Sequence, residues 1–384
     1  MSKSIMLMTL ALLFVSIFAG AFNIQTVRAS PGTIYIRADG SIDPPTAPIS
    51  TADNLTYTFT ASIYTDEQVP SAIEVQRSDI TVDGNGYTLE GNGEFGFGFN
   101  LHNTVNVTIT NVTIRDFYFG IFINSSSCSI ICGNTIAGDY FGIGLTHSNC
   151  SLIMENKVVD NYDGIHLSMS SNNSVVGNVV TSNYHGINLQ YSSENSICGN
   201  NVTAGEWYGI LLNVGSSNNR VSENIIANNG YQQAFAGLSV WGNSSNNIIY
   251  HNNLINNSAK VDDSVNIWDD GYPSGGNYWS DYSGVDMCNG RYQNITGGDS
   301  IGDSPHIINE NNQDRYPLMR PYGTPIPGDV NLDGTVDIFD IVIVALEFGH
   351  PPPPIVDLRA DVNKDGLVDI FDIVIVALHF GETG

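Results

Sequence analysis

The amino-acid sequence predicts an all-β, right-handed parallel β-helix, followed by a small α-helical module that contains two calcium loops. Two observations carry this prediction. A short phrase, Gly followed by alternating apolar residues, recurs through the middle of the chain, and a segment near the C-terminus is present twice. Ser, Asn and Gly separate the phrases, as is typical of short strands joined by turns rather than of helices.

The Gly phrase defines the coils of the predicted β-helix. Its first five copies are 22 residues apart, and the interval then lengthens. Because successive side chains of a strand point to opposite faces, the residues one and three positions after Gly should point inward and the residue two positions after it outward. Strands this short bury a face only when each pairs with its copy in the next coil. The glycines are Gly98, Gly120, Gly142, Gly164, Gly186, Gly209 and Gly237. The outward residues are Phe122, Gly144, His166, Asn188, Leu211 and Ser239.

A second phrase, an Asn between aliphatic residues, recurs between the Gly phrases, as at Asn156, Asn178 and Asn200. Asn-rich turns such as 171–173 fit ladders of side-chain amides that run along the stack. An immunoglobulin-like sandwich explains neither the constant period nor the repeated phrase. We assign residues 30–97 to an N-terminal cap and the first coils, 98–260 to the repeats, and 261–320 to a C-terminal cap.

The repeated Gly-Ile-x-Leu and Gly-Asn phrases resemble those of the β-helix superfamily of carbohydrate-binding proteins and sugar hydrolases. Within it, the chain is most similar to exported β-helix proteins that resemble a periplasmic copper-maturation factor of nitrous-oxide reductase. The resemblance covers roughly residues 31–320. It implies the fold, but this fold hosts enzymes, binding proteins and spacers alike, so it leaves the activity open.

The duplicated segment follows a Pro/Gly linker at residues 321–327 and forms a predicted module at 328–384. Each copy places oxygen ligands at loop positions 1, 3, 5, 7, 9 and 12, with Gly at position 6, which is the pattern that binds Ca²⁺ in EF-hand loops. The first loop offers Asp329, Asn331, Asp333, Thr335, Asp337 and Asp340, and the second offers Asp361, Asn363, Asp365, Leu367, Asp369 and Asp372. Thr335 and Leu367 would contribute backbone carbonyls. The sequence therefore predicts two bound calcium ions.

The final ligand of each loop is Asp rather than Glu, and no helix precedes the loop, so the segment departs from an EF-hand and closely resembles a type I dockerin. That resemblance implies a cohesin-type domain as the partner and gives loop positions 10 and 11 a role in recognising it. Those positions hold Ile338 and Phe339 in the first half and Ile370 and Phe371 in the second. Their identity predicts that either half can face the partner, while plain core packing remains the alternative for them.

Charge and the N-terminus indicate an exported protein. The chain of 384 residues has 13 Lys and Arg against 39 Asp and Glu, a formal net charge of −26, which disfavours nucleic acid and anionic membranes as partners. Residues 1–29 are typical of a signal peptide, with an uncleaved anchor as the alternative. No other segment is long and apolar enough to cross a bilayer. We therefore expect a secreted or cell-surface protein with no membrane span in its mature form.

The repeat also sorts polar residues into columns. Candidate catalytic residues are Asp139, Asp160, Asp163, His166 and His185, which recur near the Gly positions of neighbouring coils. Paired carboxylates would suit glycoside hydrolysis, and a column of aromatic residues two positions before each Gly would suit sugar rings. A polysaccharide lyase, a non-catalytic glycan-binding or spacer protein, and a copper-handling protein with His166 and His185 as ligands remain alternatives.

Two of the five cysteines, Cys128 and Cys150, are one period apart. Stacked coils would bring their Cα atoms about 5 Å apart, within the range of a disulfide. In an exported protein, this spacing predicts a Cys128–Cys150 bond.

Overall fold

A computed structural model describes residues 32–65, 69–93, 96–230, 235–262, 264–324, 327–331, 335–349, 358–365 and 367–381. The predicted signal peptide at 1–29 and the predicted loop ligand Asp333 lie outside these residues. The predicted fold class is confirmed: the chain is an all-β parallel solenoid of about 10 turns, with two short helices in its C-terminal module.

Three sheets run along the stack, and each coil contributes one strand to each sheet in turn. Strands pair with their copies in the next coil, in parallel and in register, as between Ile121 and Ile143. Because the coils have nearly equal lengths, one strand's register fixes that of its neighbours.

Sheet A has eleven described strands, in the order Ile42–Asp43, Ile34–Ile36, Ser71–Val75, Phe97–His102, Phe119–Asn124, Phe141–Thr146, Asp163–Ser168, His185–Gln190, Tyr208–Asn213, Leu238–Val240 and Ala259–Val261. Sheet B comprises Ile49–Ser50, Thr56–Phe59, Ile80–Asp83, Val107–Thr110, Ile130–Cys132, Leu152–Met154, Ser174–Val176, Ser196–Cys198, Arg220–Ser222 and Ile248–Tyr250. Sheet C comprises Ile63–Tyr64, Thr88–Glu90, Thr113–Arg115, Thr135–Ala137, Lys157–Val159, Val179–Thr181, Asn201–Thr203, Ile225–Ala227, Asn253–Ile255 and Tyr278–Trp279.

The core is a column of aliphatic side chains inside the coils. The residues one and three positions after each repeated Gly point inward as predicted, and Ile121, Ile123, Ile165 and Leu167 are fully buried. A Cβ on Gly164 would lie 2.7 Å from the carbonyl oxygen of Gly186, so the close approach of coils at this corner requires glycine.

Buried asparagines hold the turns of successive coils together, which confirms the predicted amide ladders. Asn178 is representative: its Nδ2 donates to the carbonyl of Ile153 at 2.9 Å and to Oδ1 of Asn200 at 2.9 Å, and its Oδ1 accepts from the backbone N–H of Asn156 at 3.0 Å. Because these groups are buried, each bond satisfies a donor or acceptor that would otherwise be unpaired.

The last coils are closed by buried tryptophans and a hairpin. Trp268 and Trp279 are almost fully buried at the end of the core. The hairpin pairs His306–Asn309 with Asn312–Asp314, and a second small hairpin pairs Cys288–Asn289 with Ile295–Thr296. Asn312 accepts from the backbone N–H of Asn266, and Asp314 from that of Asn277, so the two residues end two of the ladders.

The C-terminal module contains helix α1 (Ile338–Glu347), a short 3₁₀ segment (Leu358–Ala360) and helix α2 (Ile370–Leu378). Each helix begins with a capping box, formed by Asp337 with Asp340 and by Asp369 with Asp372. The small core of the module is aliphatic and consists of Val330, Val336, Val344, Ala360, Val368 and Val376. Among the described residues, no helix is long and apolar enough to cross a membrane.

Candidate functional site

The outer face of sheet A is partly covered. The residues predicted to point outward lie outside the aliphatic core, but Gly144, His166, Asn188, Leu211 and Ser239 are all buried. Neighbouring side chains on the same face shield them. At Gly144, for example, the Phe119 ring occupies the space where a side chain would stand.

Four polar residues on this face form one hydrogen-bonded group, which we call the Asp163 cluster: Asp163, His166, His185 and Asn188. Asp163 stands opposite His185 in the next coil, and His166 opposite Asn188. Asp163 Oδ1 lies 2.5 Å from His185 Nδ1, and Oδ2 lies 2.7 Å from His166 Nδ1 and 2.9 Å from Asn188 Nδ2. One carboxylate therefore orients both imidazoles.

The charge of Asp163 follows from these contacts. Burial raises the pKa of its carboxyl, but the hydrogen bonds and the charge of His166 and His185 outweigh burial and lower the pKa to about 2. An ionised carboxylate can only accept hydrogen bonds, so Nδ1 of each histidine carries the proton and donates it. In its neutral form, each ring then presents a lone pair at Nε2, where it can accept a proton or bind a ligand.

Aromatic rings flank the cluster on both sides along the stack. The Phe141 ring centre lies 5.0 Å from that of His166, and the Tyr208 ring is nearly parallel to His185 at 5.7 Å. Beside the cluster runs the predicted aromatic column of Tyr118, Tyr140, Tyr162, Tyr184, Trp207 and Phe235, with neighbouring centres between 4.6 and 5.7 Å apart. Tyr118, Tyr140 and Tyr184 are exposed. The face thus offers flat apolar surfaces beside a polar centre.

The structure does not bring the other two predicted catalytic residues into the cluster. Asp139 is buried in the position that Asn161 and Asn183 occupy in the next coils, and its Oδ1 accepts from the backbone N–H of Phe117 at 2.7 Å. Its Oδ2 has no hydrogen-bond partner, and burial raises the pKa of this carboxyl well above its usual value. Asp160 is exposed on a turn with φ of 56°. Asp139 is thus a member of a buried ladder, and Asp160 a surface turn residue.

In both halves of the C-terminal module, the last predicted loop ligand lies at the third position of the helix that follows the loop. Asp340 and Asp372 are fully buried, and each accepts from the backbone N–H of loop and N-cap residues. In the second loop, Asp365 Oδ2 accepts from Asn363 Nδ2 at 2.9 Å. Within the described ranges, no three carboxylates, imidazoles or thiols are grouped as a ready metal cage. The number and kind of donors nevertheless fit a hard cation that prefers six to eight oxygens.

The predicted partner-binding residues are exposed to the same extent in both halves. Phe339 and Phe371 are each 64% exposed, and Ile338 and Ile370 are 55% and 54% exposed. Leu346 and Leu378 extend the two apolar faces at 72% and 74%. Solvent exposure of this size excludes core packing as the role of Ile338, Phe339, Ile370 and Phe371 within the module.

Cys128 and Cys150 are free and exposed in this structure, and they directly follow Ser127 and Asn149, which pair in parallel in adjacent coils. The Cys128–Cys150 bond therefore stays a prediction.

Sequence reasoning missed the aromatic walls of the cluster and the role of Asn188 as a partner of Asp163. A signal for both exists in the sequence. The residue directly before the repeated Gly is Phe97, Phe119 and Phe141, then Asp163, His185 and Tyr208. This column changes from aromatic to polar and back, which marks one place on an otherwise regular face.

A family model described as "Periplasmic copper-binding protein (NosD)" matches residues 76–284, more than half of the chain. The chain belongs to this NosD family. A second model, "Dockerin type I domain", matches residues 327–380, so this NosD-family protein carries a type I dockerin at its C-terminal end. Both predicted resemblances are thereby confirmed. No curated protein matches the chain in sequence.

Solved structures with related coils are distant from this NosD-family chain. A periplasmic alginate epimerase AlgG double mutant is 16% identical, with 62% of this chain and 82% of that one covered and a TM-score of 0.41. The Dettilon tailspike protein is 15% identical, with 65% and 66% covered and a TM-score of 0.38. DFA-IIIase from Arthrobacter chlorophenolicus A6 in complex with GF2 is 17% identical, with 56% and 62% covered and a TM-score of 0.41. These likenesses are too remote to assign an activity.

Proposed function

We propose that this protein is an exported, polysaccharide-processing β-helix that is attached to a cohesin domain through its calcium-loaded dockerin. The observation that carries the glycan part of the proposal is the Asp163 cluster, a buried carboxylate that orients two imidazoles beside exposed aromatic rings. The C–H faces of sugar rings pack on aromatic faces, and the imidazoles supply acid and base groups beside them.

His166 and His185 would carry the chemistry, and Asp163 would position them. The pKa of Asp163 is lowered to about 2, so its carboxylate is ionised near neutral pH, accepts hydrogen bonds from both histidines and Asn188, and cannot donate a proton. Each histidine is fixed through Nδ1, in the way that a buried aspartate orients the histidine of a catalytic triad. One Nε2 can then remove a proton while the other protonated ring supplies one to a leaving oxygen.

This assignment replaces the pair of carboxylates that the sequence predicted. Glycoside hydrolysis by two acids requires both carboxyl groups to flank the scissile bond. Asp139 is committed to a buried ladder and Asp160 to a surface turn, so neither can stand opposite Asp163. An imidazole pair therefore fits the described residues better.

The test is an assay of the calcium-loaded full chain against a broad panel of polysaccharides, with detection of both reducing ends and unsaturated sugars. We expect release from at least one polysaccharide, and a rate that falls roughly 10²–10⁴-fold in His166→Gln and in His185→Gln. His147→Asn, which changes an exposed histidine outside the cluster, is the matched control and should keep the rate. Binding without turnover would favour a non-catalytic glycan-binding protein, and neither binding nor turnover would refute the glycan proposal.

Copper handling at the same two histidines is the second candidate, because metal-binding histidines commonly donate their other ring N–H to a carboxylate, as His166 and His185 do. Titration of copper into the wild type and a His166→Gln/His185→Gln double variant separates the two functions. A loss of copper affinity in the double variant would support this candidate. Equal affinity would exclude it.

The docking part of the proposal rests on the paired loops and the paired apolar faces. Two Ca²⁺ ions would be held by Asp329, Asn331, Asp333, Asp337 and Asp340 and by Asp361, Asn363, Asp365, Asp369 and Asp372, with the carbonyls of Thr335 and Leu367. The module's core of six buried aliphatic or Ala residues is too small to be stable without further support. Bound calcium would supply that support and fix both faces for a cohesin domain.

A further inference from the structure

The coils that carry the Asp163 cluster contain almost no positive charge. From Asp116 to Asn219, the chain has seven Asp and Glu against a single Lys or Arg, Lys157. Lys157 begins a strand of sheet C, whereas the cluster lies on sheet A. The strands of sheet A within this range therefore offer no cationic side chain that could pair with a carboxylate of a substrate.

Carboxylates border this face on the side of the aromatic column. Asp160 and Glu206 are exposed in the turns that lead into the column, and Asp116 is partly exposed in the equivalent turn of an earlier coil. The neighbouring Arg115 already pairs with carboxylates, at 2.7 Å from Glu90 and 3.9 Å from Asp116. An anionic polymer would thus meet like charge along this border, and such juxtaposition disfavours binding.

The opposite border of the face is polar but uncharged. The residues at the ends of the sheet A strands there stand opposite each other from coil to coil, and each is half-buried. Amides and hydroxyls can donate and accept hydrogen bonds, which matches the hydroxyl groups of a sugar. The residues are Asn124, Thr146, Ser168, Gln190 and Asn213.

The Asp163 cluster lies in the middle of the aromatic column rather than at its end. Asp163 and His185 directly follow the column residues Tyr162 and Tyr184. The column continues for two coils on each side, with neighbouring ring centres 4.6–5.7 Å apart. At a coil spacing of about 4.8 Å, it extends about 10 Å beyond the cluster in both directions. The flanking residues are Tyr118 and Tyr140 on one side and Trp207 and Phe235 on the other.

We propose that the Asp163 cluster hydrolyses an uncharged, linear polysaccharide that lies along the stack, and that it cleaves this polysaccharide internally. This inference rests on the proposed function and names its substrate class. The lack of cations on sheet A favours an uncharged chain, and the central position of the cluster favours internal cleavage. The substrate class also decides the reaction, because elimination by a lyase needs a ring proton that a neighbouring carboxyl group has made acidic. An uncharged sugar has no such group.

Hydrolysis consumes one water and uses both imidazoles. One ring takes a proton from the water at Nε2, while the water oxygen bonds to the anomeric carbon and the glycosidic C–O bond breaks. The other ring, which is protonated, gives its proton to the leaving oxygen. The two products together contain the atoms of the polysaccharide and of one water, and no oxidation state changes. Proton exchange with solvent then restores both rings.

The experiment assays the calcium-loaded full chain on uncharged linear polysaccharides and on uronic acid polymers such as polygalacturonate. The polysaccharide that reacts is assayed again after its primary hydroxyls have been oxidised to carboxylates, so that the two substrates differ in charge. We expect new reducing ends without unsaturated sugars, together with an early fall in viscosity. The oxidised form should react at least about tenfold more slowly at low salt, because like charges repel. Added salt should narrow this difference.

Two matched pairs of variants locate the effect on this face. Glu206→Gln should raise the rate on the oxidised form relative to the uncharged form by about 2–5-fold, whereas Glu310→Gln, at an exposed position in the C-terminal hairpin, should not change this ratio. Tyr118→Ser should lower kcat/KM on the long chain about tenfold, as expected for a lost aromatic contact of about 1.4 kcal/mol. Tyr292→Ser, at a 79% exposed residue outside this face, should keep the wild-type value.

Several results would overturn this inference and leave polysaccharide processing standing. They are a faster reaction on uronic acid polymers than on uncharged ones, release of unsaturated sugars, and release of one small product from a chain end without an early fall in viscosity. The absence of binding and turnover on every polymer would instead refute the proposed function, and this inference with it.

Discussion

Asp163 and His185 stand directly opposite each other in adjacent coils, and the carboxylate Oδ1 of Asp163 lies 2.5 Å from Nδ1 of His185. The same carboxylate contacts His166 in its own coil through Oδ2. A single buried charge thus sets the orientation of two rings on the outer face of sheet A. This relationship is the physical basis of the proposed glycan chemistry.

Asp163→Asn should slow glycan processing strongly, whereas Asp139→Asn should not. An amide at residue 163 cannot accept from three donors as the carboxylate does, so the histidines lose their fixed tautomer and orientation, and we expect a roughly 10²–10⁴-fold lower rate. Asp139 lies in a ladder, so its variant should keep the wild-type rate. The measurement is the initial rate on the substrate found in the panel. Equal loss in both variants would contradict the separation of the two carboxylates.

Asp139→Asn should stabilise the coils, and increasingly so as the pH rises. Burial raises the pKa of Asp139, so the folded state binds a proton that the unfolded state releases above about pH 4. The wild type therefore loses stability from that pH upward to the raised pKa, and the neutral amide does not. We expect a gain of about 1–3 kcal/mol near neutral pH, because there the buried carboxyl must stay protonated or be ionised with its Oδ2 unpaired, a cost that the neutral amide avoids.

Denaturant unfolding of both proteins at pH 4 and pH 7 checks this expectation. The amide that the substitution introduces at position 139 would donate to Asn161 Oδ1, as Asn161 itself donates to Asn183. The difference between the variant and the wild type should be small at pH 4 and large at pH 7. A difference that is the same at both pH values would show that the carboxyl does not titrate abnormally.

Asn178→Ala should destabilise the coils strongly. The substitution removes the Oδ1 that accepts from the backbone N–H of Asn156 and the Nδ2 that donates to the carbonyl of Ile153. Both backbone groups belong to buried residues. We expect a loss of at least about 2 kcal/mol in the free energy of unfolding, because each buried group left unpaired costs about 1–3 kcal/mol. Asn311→Ala, at an exposed turn, is the control and should change the stability little. If Asn178→Ala and Asn311→Ala were equally stable, the buried ladder would contribute no more to the free energy of unfolding than an exposed turn does.

The two halves of the dockerin should substitute for each other in cohesin binding. Because Phe339 and Phe371 are equally exposed on matching faces, Phe339→Ala alone should reduce affinity only about twofold, since one of two equivalent orientations remains. The Phe339→Ala/Phe371→Ala double variant should lose at least about 10²-fold, as expected for removal of a buried aromatic anchor. Calorimetry with a panel of type I cohesin domains measures both. A single variant as weak as the double variant would refute the two-orientation prediction.

The sequence predicts the coils well because one period governs the whole stack. Equal spacing alone aligns Asp163 with His185 and His166 with Asn188, and the register of the strands follows. Whether an outward residue is exposed or buried depends on side-chain packing, such as that of the Phe119 ring over Gly144. The repeat period does not predict this packing. Asp139 could have been recognised as a ladder residue, because the equivalent positions in the next coils are Asn161 and Asn183. Nothing in the sequence indicates that each histidine contacts Asp163 through Nδ1 rather than through Nε2.

We propose that calcium builds the docking module, whereas the coil stack folds without a metal ion. Calorimetric unfolding of the full chain, with excess Ca²⁺ and then with a chelator, tests this most directly, together with cohesin binding under both conditions. We predict two transitions, of which chelation removes the smaller one and abolishes cohesin binding, while the larger transition stays in place. Two transitions and full cohesin binding that survive complete removal of divalent ions would contradict the account.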